Sequence, residues 1–350
     1  MKIKIENFRR VLVMGPYNVE LSPSCEREFD WDDDKVLVKT HFSAISAGSE
    51  YANIVGDKNI EASKSADEVV LSYPCGIGYA SSGIVEKVGK NVTDVKVGDR
   101  VVPLYKGHAS HHVCDANRII KIPYDDISLE EMASLYISTF SLSGARKLRI
   151  EAGESCAVMG CGFLGLYSVM FCKVMGATPV IAVDPIREKR EKALALGADF
   201  ALDPFEEGFV EKMKNLTDGR GINAAIEVTG KGSGLDMILD CMKRHGRISL
   251  LGCTRNSDFT IDYYRKVHYP GIELIGAHTG TRPENDSRPG YWTIKDDCDA
   301  IIRLLHYKKV DFKKMITDIR PATETHEIYD RLANDYANFP GGMLLDWRNI

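Results

Sequence analysis

The sequence predicts an α/β protein in which a doubly wound parallel sheet is joined to a second, β-rich domain. Three observations carry that expectation. The chain has 350 residues, more than one core of about 100–200 residues uses, so two domains are expected. Short β-type runs separated by turn residues fill the first part of the chain, and between 155 and 276 strand-like and helix-like segments alternate. That alternation calls for right-handed crossovers onto a parallel sheet. The expected partition is 1–145 with 286–350 for the β-rich domain and 146–285 for the doubly wound one.

Taken in order, residues 1–21 read as a first β-hairpin. The runs KVLVKTHF (35–42), GIVEKVG (83–89), DRVVP (99–103) and RIIKIP (118–123) read as strands, with turns at 89–92 and 97–99. Ser128 followed by Glu131 is a capping box that opens a helix and marks the change of pattern. Strands are then expected at 155–159, 179–184, 200–202, 224–228, 247–251 and 272–276, with helices at 164–175, 186–196, 209–216 and 235–244 between them. The polar stretch 278–289 is too hydrophilic for a core and is a candidate active-site loop. Beyond it, an amphipathic helix at 299–307 and strand-like pieces are expected to pack back on the first half.

Composition narrows the function. Apolar residues at 44% and charged residues at 27% describe an ordinary globular chain rather than a disordered one. The balance of 45 basic against 50 acidic residues, with no basic run, argues against nucleic acid as a partner. Nine cysteines without a C-x-x-C pair indicate neither a disulfide framework nor a zinc ribbon; most read as buried thiols in a reducing compartment. The N-terminus has no apolar core followed by a small-residue cleavage site, so a cytoplasmic location is expected. The apolar stretch between Glu154 and Asp184 contains one charge, Lys173, but glycines and a proline divide it. A buried α/β core explains it better than a membrane span.

The run GCGFLG at 160–165 follows an apolar strand and opens a helix, and Asp184 ends the next strand. That context supplies what a bound dinucleotide needs. Gly160 makes the tight turn, Gly162 lets a pyrophosphate approach the backbone, and Gly165 permits close helix–strand packing. The first turn of the helix, at Phe163 and Leu164, offers unpaired N–H groups and a partial positive charge. Asp184 would accept hydrogen bonds from the adenosine ribose hydroxyls and repel a 2′-phosphate, which favours NAD(H) over NADP(H). Arg187 is the residue that could instead partner such a phosphate.

ISAGSE at 45–50, GIVEKVG at 83–89, VGDRV at 97–101, the 160–165 turn, LGAD at 196–199 and EVTG at 227–230, in this order, resemble the medium-chain alcohol dehydrogenase/reductase superfamily. The resemblance covers nearly the whole chain. It implies a GroES-like catalytic domain beside a Rossmann domain, with Ser138 and Thr139 beside the nicotinamide and Thr229, Gly252 and Cys253 along the cofactor cleft. It also implies a homodimer or homotetramer acting on a small-molecule substrate. Zinc-dependent members place a ligand Cys where Ser46 stands, Gly-His-Glu where Gly78, Tyr79 and Ala80 stand, and a Cys or Glu near Leu135. They often carry a four-Cys lobe where this chain has only Cys114. No zinc is therefore expected here. The ISAGSE and Gly-Tyr-Ala pair looks closest to a zinc-lacking branch typified by bacteriochlorophyllide a dehydrogenase, whose members interconvert a secondary alcohol and a ketone.

Without a Lewis acid, side chains must handle the hydroxyl proton. Candidates are Ser46, Ser49, Glu50, Tyr51 and Tyr79. Tyr79 reads either as a donor to the developing alkoxide or as an aromatic plug; Glu50 reads as a proton relay or as a structural ion pair. His278, with Tyr291 and Trp292, reads as a group closing over substrate or as a solvated loop. The HASHH run at 108–112 invites a metal, but strand alternation splits its imidazoles between two faces, and an exposed or cofactor-side β-edge is expected. Three functions remain: an NAD-dependent secondary-alcohol dehydrogenase on a polyol, sugar or ring substrate, an NADPH-dependent enone or quinone reductase, and a non-catalytic NAD(H)-binding protein.

Overall fold

The computed structural model describes residues 1–61, 63–257 and 259–350. The chain divides into two units, Met1–Ile137 with Phe312–Ile350, and Ser138–Asp311. The elements of the first unit begin with β1 (Lys2–Phe8), β2 (Val11–Gly15), β3 (Asn18–Leu21), β4 (Cys25–Asp30) and β5 (Lys35–Ala44). Next come α1 (Ala47–Ile54), β6 (Cys75–Gly76), β7 (Ser81–Val88), β8 (Arg100–Pro103), β9 (His111–Asp115), β10 (Ile119–Lys121) and the short α2 (Leu129–Met132). The helix α3 (Leu135–Lys147) carries the chain into the second unit.

The expected hairpin over 1–21 is only half present. β2 and β3 pair with each other, whereas β1 pairs with β4. The cause is packing: Ile5 and Phe8 of β1 join Trp31 and Leu37 in a small core, while a left-handed residue, Asn7 at φ 55°, interrupts the ladder before β2. Ser128 does accept the Glu131 N–H, and the Glu131 side chain accepts the Ser128 N–H, so the capping box is made.

The second unit contains β11 (Cys156–Met159), α4 (Phe163–Val174), β12 (Val180–Val183), α5 (Arg187–Ala195), β13 (Phe200–Leu202), α6 (Phe209–Asn215), β14 (Ile222–Glu227), α7 (Gly232–Cys241), β15 (Met242–Leu250), β16 (Glu273–Gly276) and α8 (Ile294–His306). Its strands form one sheet in the order β13-β12-β11-β14-β15-β16, with every neighbouring pair parallel. The order reverses at β11, the switch point where an open α/β sheet binds its ligand. Residues 154–184 are thus strand, turn, helix and strand. Among the described residues no helix is long and apolar enough to cross a membrane.

The helix expected at 299–307 starts earlier and belongs to this unit rather than to the β-rich one. Its buried Asp297 accepts Arg146 Nε–H of α3 at 2.8 Å and lies 3.3 Å from Arg282 Nη1, which fixes α8 against α3. Burial raises the Asp297 carboxyl to about 6, against the pull of the two guanidinium groups. The return to the first unit comes only with β17 (Asp318–Pro321), α9 (Thr325–Asn334) and β18 (Met343–Asp346). β18 pairs antiparallel with β5 and parallel with β17, extending the sheet ordered β10-β8-β7-β5-β18-β17, on which β9 also pairs with β5.

Candidate active site

In the first unit the register of β5 against β7 places Ser43 opposite Ser81, and Ala44 N–H donates to the Ala80 carbonyl at 3.0 Å. The residues just past the end of β5 therefore lie beside those just before β7. This brings Ser46, the N-cap of α1, to Tyr79: their hydroxyls share a hydrogen bond of 2.5 Å, and Ser49 Oγ lies 3.4 Å from the same phenol. The Tyr79 ring packs edge-on to buried Tyr136 and, at 6.3 Å, against exposed Tyr105.

Behind this pair lies Glu50, 1% exposed. Its Oε1 accepts the Ser46 N–H at 2.7 Å, and its Oε2 accepts the Tyr329 hydroxyl and faces His108 Nε2 at 3.1 Å. Burial, then the Glu50 charge, pushes the Tyr329 phenol well above its ordinary range, so it stays a donor. A buried carboxylate needs such donors; deleting one partner of a buried charge typically costs about 3–5 kcal/mol.

The histidine run is not an exposed edge. Before β9 begins, the chain turns inward and His108 is 2% exposed, its Nδ1 facing Ser43 Oγ at 2.7 Å. His112 is also buried and donates its Nε2–H to the Gly107 carbonyl at 3.2 Å. His111 faces Glu86 at 3.4 Å.

The donor set at Ser46 and Tyr79 does not fit a tetrahedral zinc. It offers a hydroxyl and a phenol, Leu135 is aliphatic and buried, and the nearby Glu50 and His108 direct their polar atoms at each other and at Ser43, Ser46 and Tyr329. Among the described residues no group of three or more His, Cys, Asp or Glu could hold a metal ion.

In the second unit the Gly-rich turn has the shape a dinucleotide needs. Gly160 has φ 98°, where a side chain would be strained and would sit 3.0 Å from Thr229 Cγ2. A Cβ on Gly165 would fall 1.8 Å from the Gly160 carbonyl oxygen, whereas one on Gly162 would meet nothing within 4 Å. Gly162 N-caps α4, so Phe163 and Leu164 present the first N–H groups. Asp184, 6% exposed, accepts Cys161 N–H on Oδ2 at 2.8 Å and Ile186 N–H on Oδ1 at 2.9 Å. Each carboxylate oxygen keeps a second lone pair for a ribose hydroxyl.

Thr229, Gly252 and Cys253 gather at the same ends of the parallel strands. A Cβ on Gly252 would fall 2.4 Å from Gly230 N, and one on Gly230 would fall 2.6 Å from the Cys253 carbonyl oxygen. Glu227 holds this turn by accepting Thr229 N–H at 2.8 Å, Gly230 N–H at 3.2 Å and the Thr229 hydroxyl. Its carboxyl is raised by burial. Ser138 and Thr139 are buried on α3, and the Thr139 carbonyl accepts Arg282.

Two expectations need correcting. Arg187 is exposed and paired with Glu191 at 2.8 Å; the cation that reaches the end of β12 is Arg190, whose Nη1 donates to the Asp184 carbonyl at 2.7 Å. The stretch 278–289 is not uniformly solvated, because the Arg282 side chain is only 3% exposed. His278 lies on the second unit, exposed, with Nδ1 accepting Gly280 N–H at 3.1 Å. Tyr291 and Trp292 lie against the cations Lys147 and Arg146. The structure thus groups Ser46, Glu50 and Tyr79, and places His278 in the other unit. Tyr329 and Arg190 were missed, and only Arg190, one helical turn from Arg187, had a local signal; His108 was singled out in the sequence but expected on a β-edge rather than buried against Glu50.

Comparisons with known proteins fit this arrangement. The family model described as alcohol dehydrogenase GroES-like domain matches residues 32–123, and that described as zinc-binding dehydrogenase matches residues 164–291, a segment that contains neither Ser46 nor Tyr79. A probable alcohol dehydrogenase of a Pseudomonas species is 28% identical over 262 residues, covering 59% of this chain and 82% of that protein. An L-threonine 3-dehydrogenase of Caldanaerobacter subterraneus is 27% identical over 282 residues, covering 73% of this chain and 78% of its own. An Escherichia coli oxidoreductase/dehydrogenase of unknown specificity has the same fold, with a TM-score of 0.81 at 18% identity over 99% of each chain. With one family model matched in each unit and dehydrogenases among its relatives, the chain belongs to the medium-chain alcohol dehydrogenase superfamily, a family of NAD(P)-dependent oxidoreductases.

Proposed function

We propose that this protein is a zinc-independent dehydrogenase that transfers a hydride between NAD(H) and a secondary alcohol or ketone, with Tyr79 handling the hydroxyl proton. The observation that carries this reading is the Ser46–Tyr79 hydroxyl pair, which stands where zinc-dependent members resembling this chain hold ligands. In alcohol oxidation Tyr79 acts as the phenolate, its own proton having passed to solvent: it accepts the substrate's hydroxyl hydrogen bond and takes that proton to become the phenol as hydride leaves the carbinol carbon for the cofactor. In ketone reduction the phenol gives its proton to the developing alkoxide and is reprotonated from solvent. Ser46 orients the phenol, and its own backbone is held by buried Glu50. The second unit supplies the cofactor site: the turn at Gly160, Gly162 and Gly165 for the pyrophosphate, Asp184 for the adenosine ribose, and Ser138 and Thr139 for the nicotinamide end. Asp184 supports NAD(H), since its charge opposes a 2′-phosphate. A secondary alcohol is supported by the relatives named for threonine oxidation at carbon 3.

A cofactor and substrate screen tests the proposal. NAD+ should be reduced with a panel of secondary alcohols, including polyols and cyclic alcohols, while NADPH should not be consumed with enones or quinones. NADPH oxidation on an enone without NAD+ turnover on any alcohol would replace this reading with a C=C reductase. Binding of NAD(H) with no turnover on either panel would leave a non-catalytic binding protein.

A further inference from the structure

We propose that His108 is a positioning residue for the Ser46–Tyr79 pair, a role that rests on the reading of Tyr79 as the proton-handling group. One buried imidazole braces both turns of the site, the Ser46 turn through Glu50 and the Tyr79 turn through Gly78.

The first contact is polar. Trp347 Nε1–H donates to Ser43 Oγ at 2.8 Å, and an indole N–H can only donate. Glu50 Oε2 accepts the Tyr329 hydroxyl and faces His108 Nε2 at 3.1 Å, so Nε2 carries the ring proton and donates it there. Nδ1 is then the acceptor and takes the Ser43 hydroxyl, 2.7 Å away, while a Ser43 lone pair serves Trp347. This tautomer is assigned from the donor count rather than observed. It gives Glu50 three donors, from His108, Tyr329 and Ser46, and the last of these is the backbone N–H of the residue whose hydroxyl meets Tyr79. The second contact is steric. Gly78 sits at φ 81°, and a Cβ there would lie 2.3 Å from His108 Cδ2 and 2.4 Å from Nε2. The peptide preceding Tyr79 thus rests directly on the ring. Gly107 closes equally on Gly78, its Cβ position 2.3 Å from the Gly78 carbonyl, and His108 N–H donates to the Ile77 carbonyl at 3.3 Å.

The side chain is fully buried, so its part in catalysis is geometric: it sets the separation and direction of two hydroxyls. A displacement of about 1 Å at a reacting group can cost about 10²-fold in rate.

The test compares His108→Gln, whose amide reaches Glu50 in place of Nε2–H, with His108→Asn, which is too short to do so, each alone and with Tyr79→Phe. Turnover is expressed per folded site, counted by NADH binding. His108→Asn should lower kcat by roughly tenfold to a hundredfold and shift the pH profile of kcat, with NADH affinity unchanged; His108→Gln should return kcat to within about threefold of wild type. With Tyr79→Phe present, His108→Asn should add less than about twofold, because the pair it positions is already gone. If His108→Asn does not fold, Ser43→Ala, which loosens the same ring, should show a smaller loss with the same dependence on Tyr79. Unchanged kcat per folded site in His108→Asn, or in Ser43→Ala where that variant stands in for it, overturns the proposal, as does a full multiplicative loss on top of Tyr79→Phe. Unchanged kcat in Tyr79→Phe alone instead overturns the reading of Tyr79 on which it rests.

Discussion

The Ser46 hydroxyl lies 2.5 Å from the Tyr79 hydroxyl, and the same serine gives its backbone N–H to Glu50. One residue therefore ties the Tyr79 hydroxyl to the buried Glu50 carboxyl group. Such an arrangement can lower the cost of a developing phenolate, because a short hydroxyl–hydroxyl bond strengthens as charge grows on the acceptor.

Tyr79→Phe keeps the ring packed against Tyr136 and Tyr105 and removes only the hydroxyl. A positioned acid–base group contributes about 10²–10⁴-fold, whereas a packing contact would chiefly affect stability. We expect kcat to fall at least roughly tenfold, with NAD(H) affinity and Tm little changed, a modest bound since Ser46 or a water can take part of the load. Unaltered kcat on a good substrate would make Tyr79 a plug.

Asp184 accepts the Cys161 and Ile186 N–H groups, and in the proposed function it also receives the adenosine ribose. Removing its charge should raise NADP(H) affinity relative to NAD(H), since two like charges about 4 Å apart repel by about 1–4 kcal/mol between water and a protein surface. Asp184→Ser retains one acceptor for the turn and should shift the preference by roughly tenfold or more; Asp184→Ala should shift it too, with lower stability. Titration of both cofactors checks this. A wild type that already prefers NADP(H) contradicts the assignment.

For the metal, elemental analysis of purified protein should find far less than one zinc per chain, and a strong chelator should leave activity unchanged. A hydroxyl and a phenol cannot replace thiolate and imidazole in a zinc shell. Stoichiometric zinc would mean that Ser46, Tyr79 and Leu135 have been misread and that ligands come from elsewhere in the chain.

Local rules were legible in the sequence because their partners are local. The capping box at Ser128 and Glu131, the tight turn at Gly160 and the close packing at Gly165 each depend on a few adjacent residues, and all three are found as expected. Asp184 was readable for the same reason, since a strand end next to a Gly-rich turn is a fixed feature of such sheets. The interior of the site was not. His108 looked like an alternating strand residue, yet the chain reaches β9 only at His111, so the ring turns into the core. Tyr329, the donor to Glu50, stands far along the chain on a helix whose other buried residues are ordinary core. The β1 strand was misassigned to a local hairpin because its partner, β4, is chosen by a shared apolar face with Trp31 and Leu37. The helix α8 was given to the first unit because the ion pairs of Asp297 with Arg146 and Arg282 join residues far apart in sequence.

The last prediction concerns acid. His112 is buried and its imidazole is pushed down to about 3, mainly by burial and secondarily by the Lys106 charge. In the unfolded chain it titrates near 6.5. Because the folded value lies below the unfolded one, the unfolded state binds the extra proton, so the contribution to stability is complete above about pH 6.5 and is lost as pH falls towards 3. At about 1.4 kcal/mol per pH unit below 6.5, roughly 2 kcal/mol is gone by pH 5. The consequence reaches the site, because neutral His112 holds the Gly107 carbonyl and Gly107 lies against Gly78, next to Tyr79. Denaturant unfolding at pH 7 and pH 5 should show wild type losing about 2 kcal/mol more than His112→Gln, which carries no titrating ring. Equal losses in the two proteins would mean that water or a counter-charge reaches His112 in the folded state and that the acid limit of the site is set elsewhere.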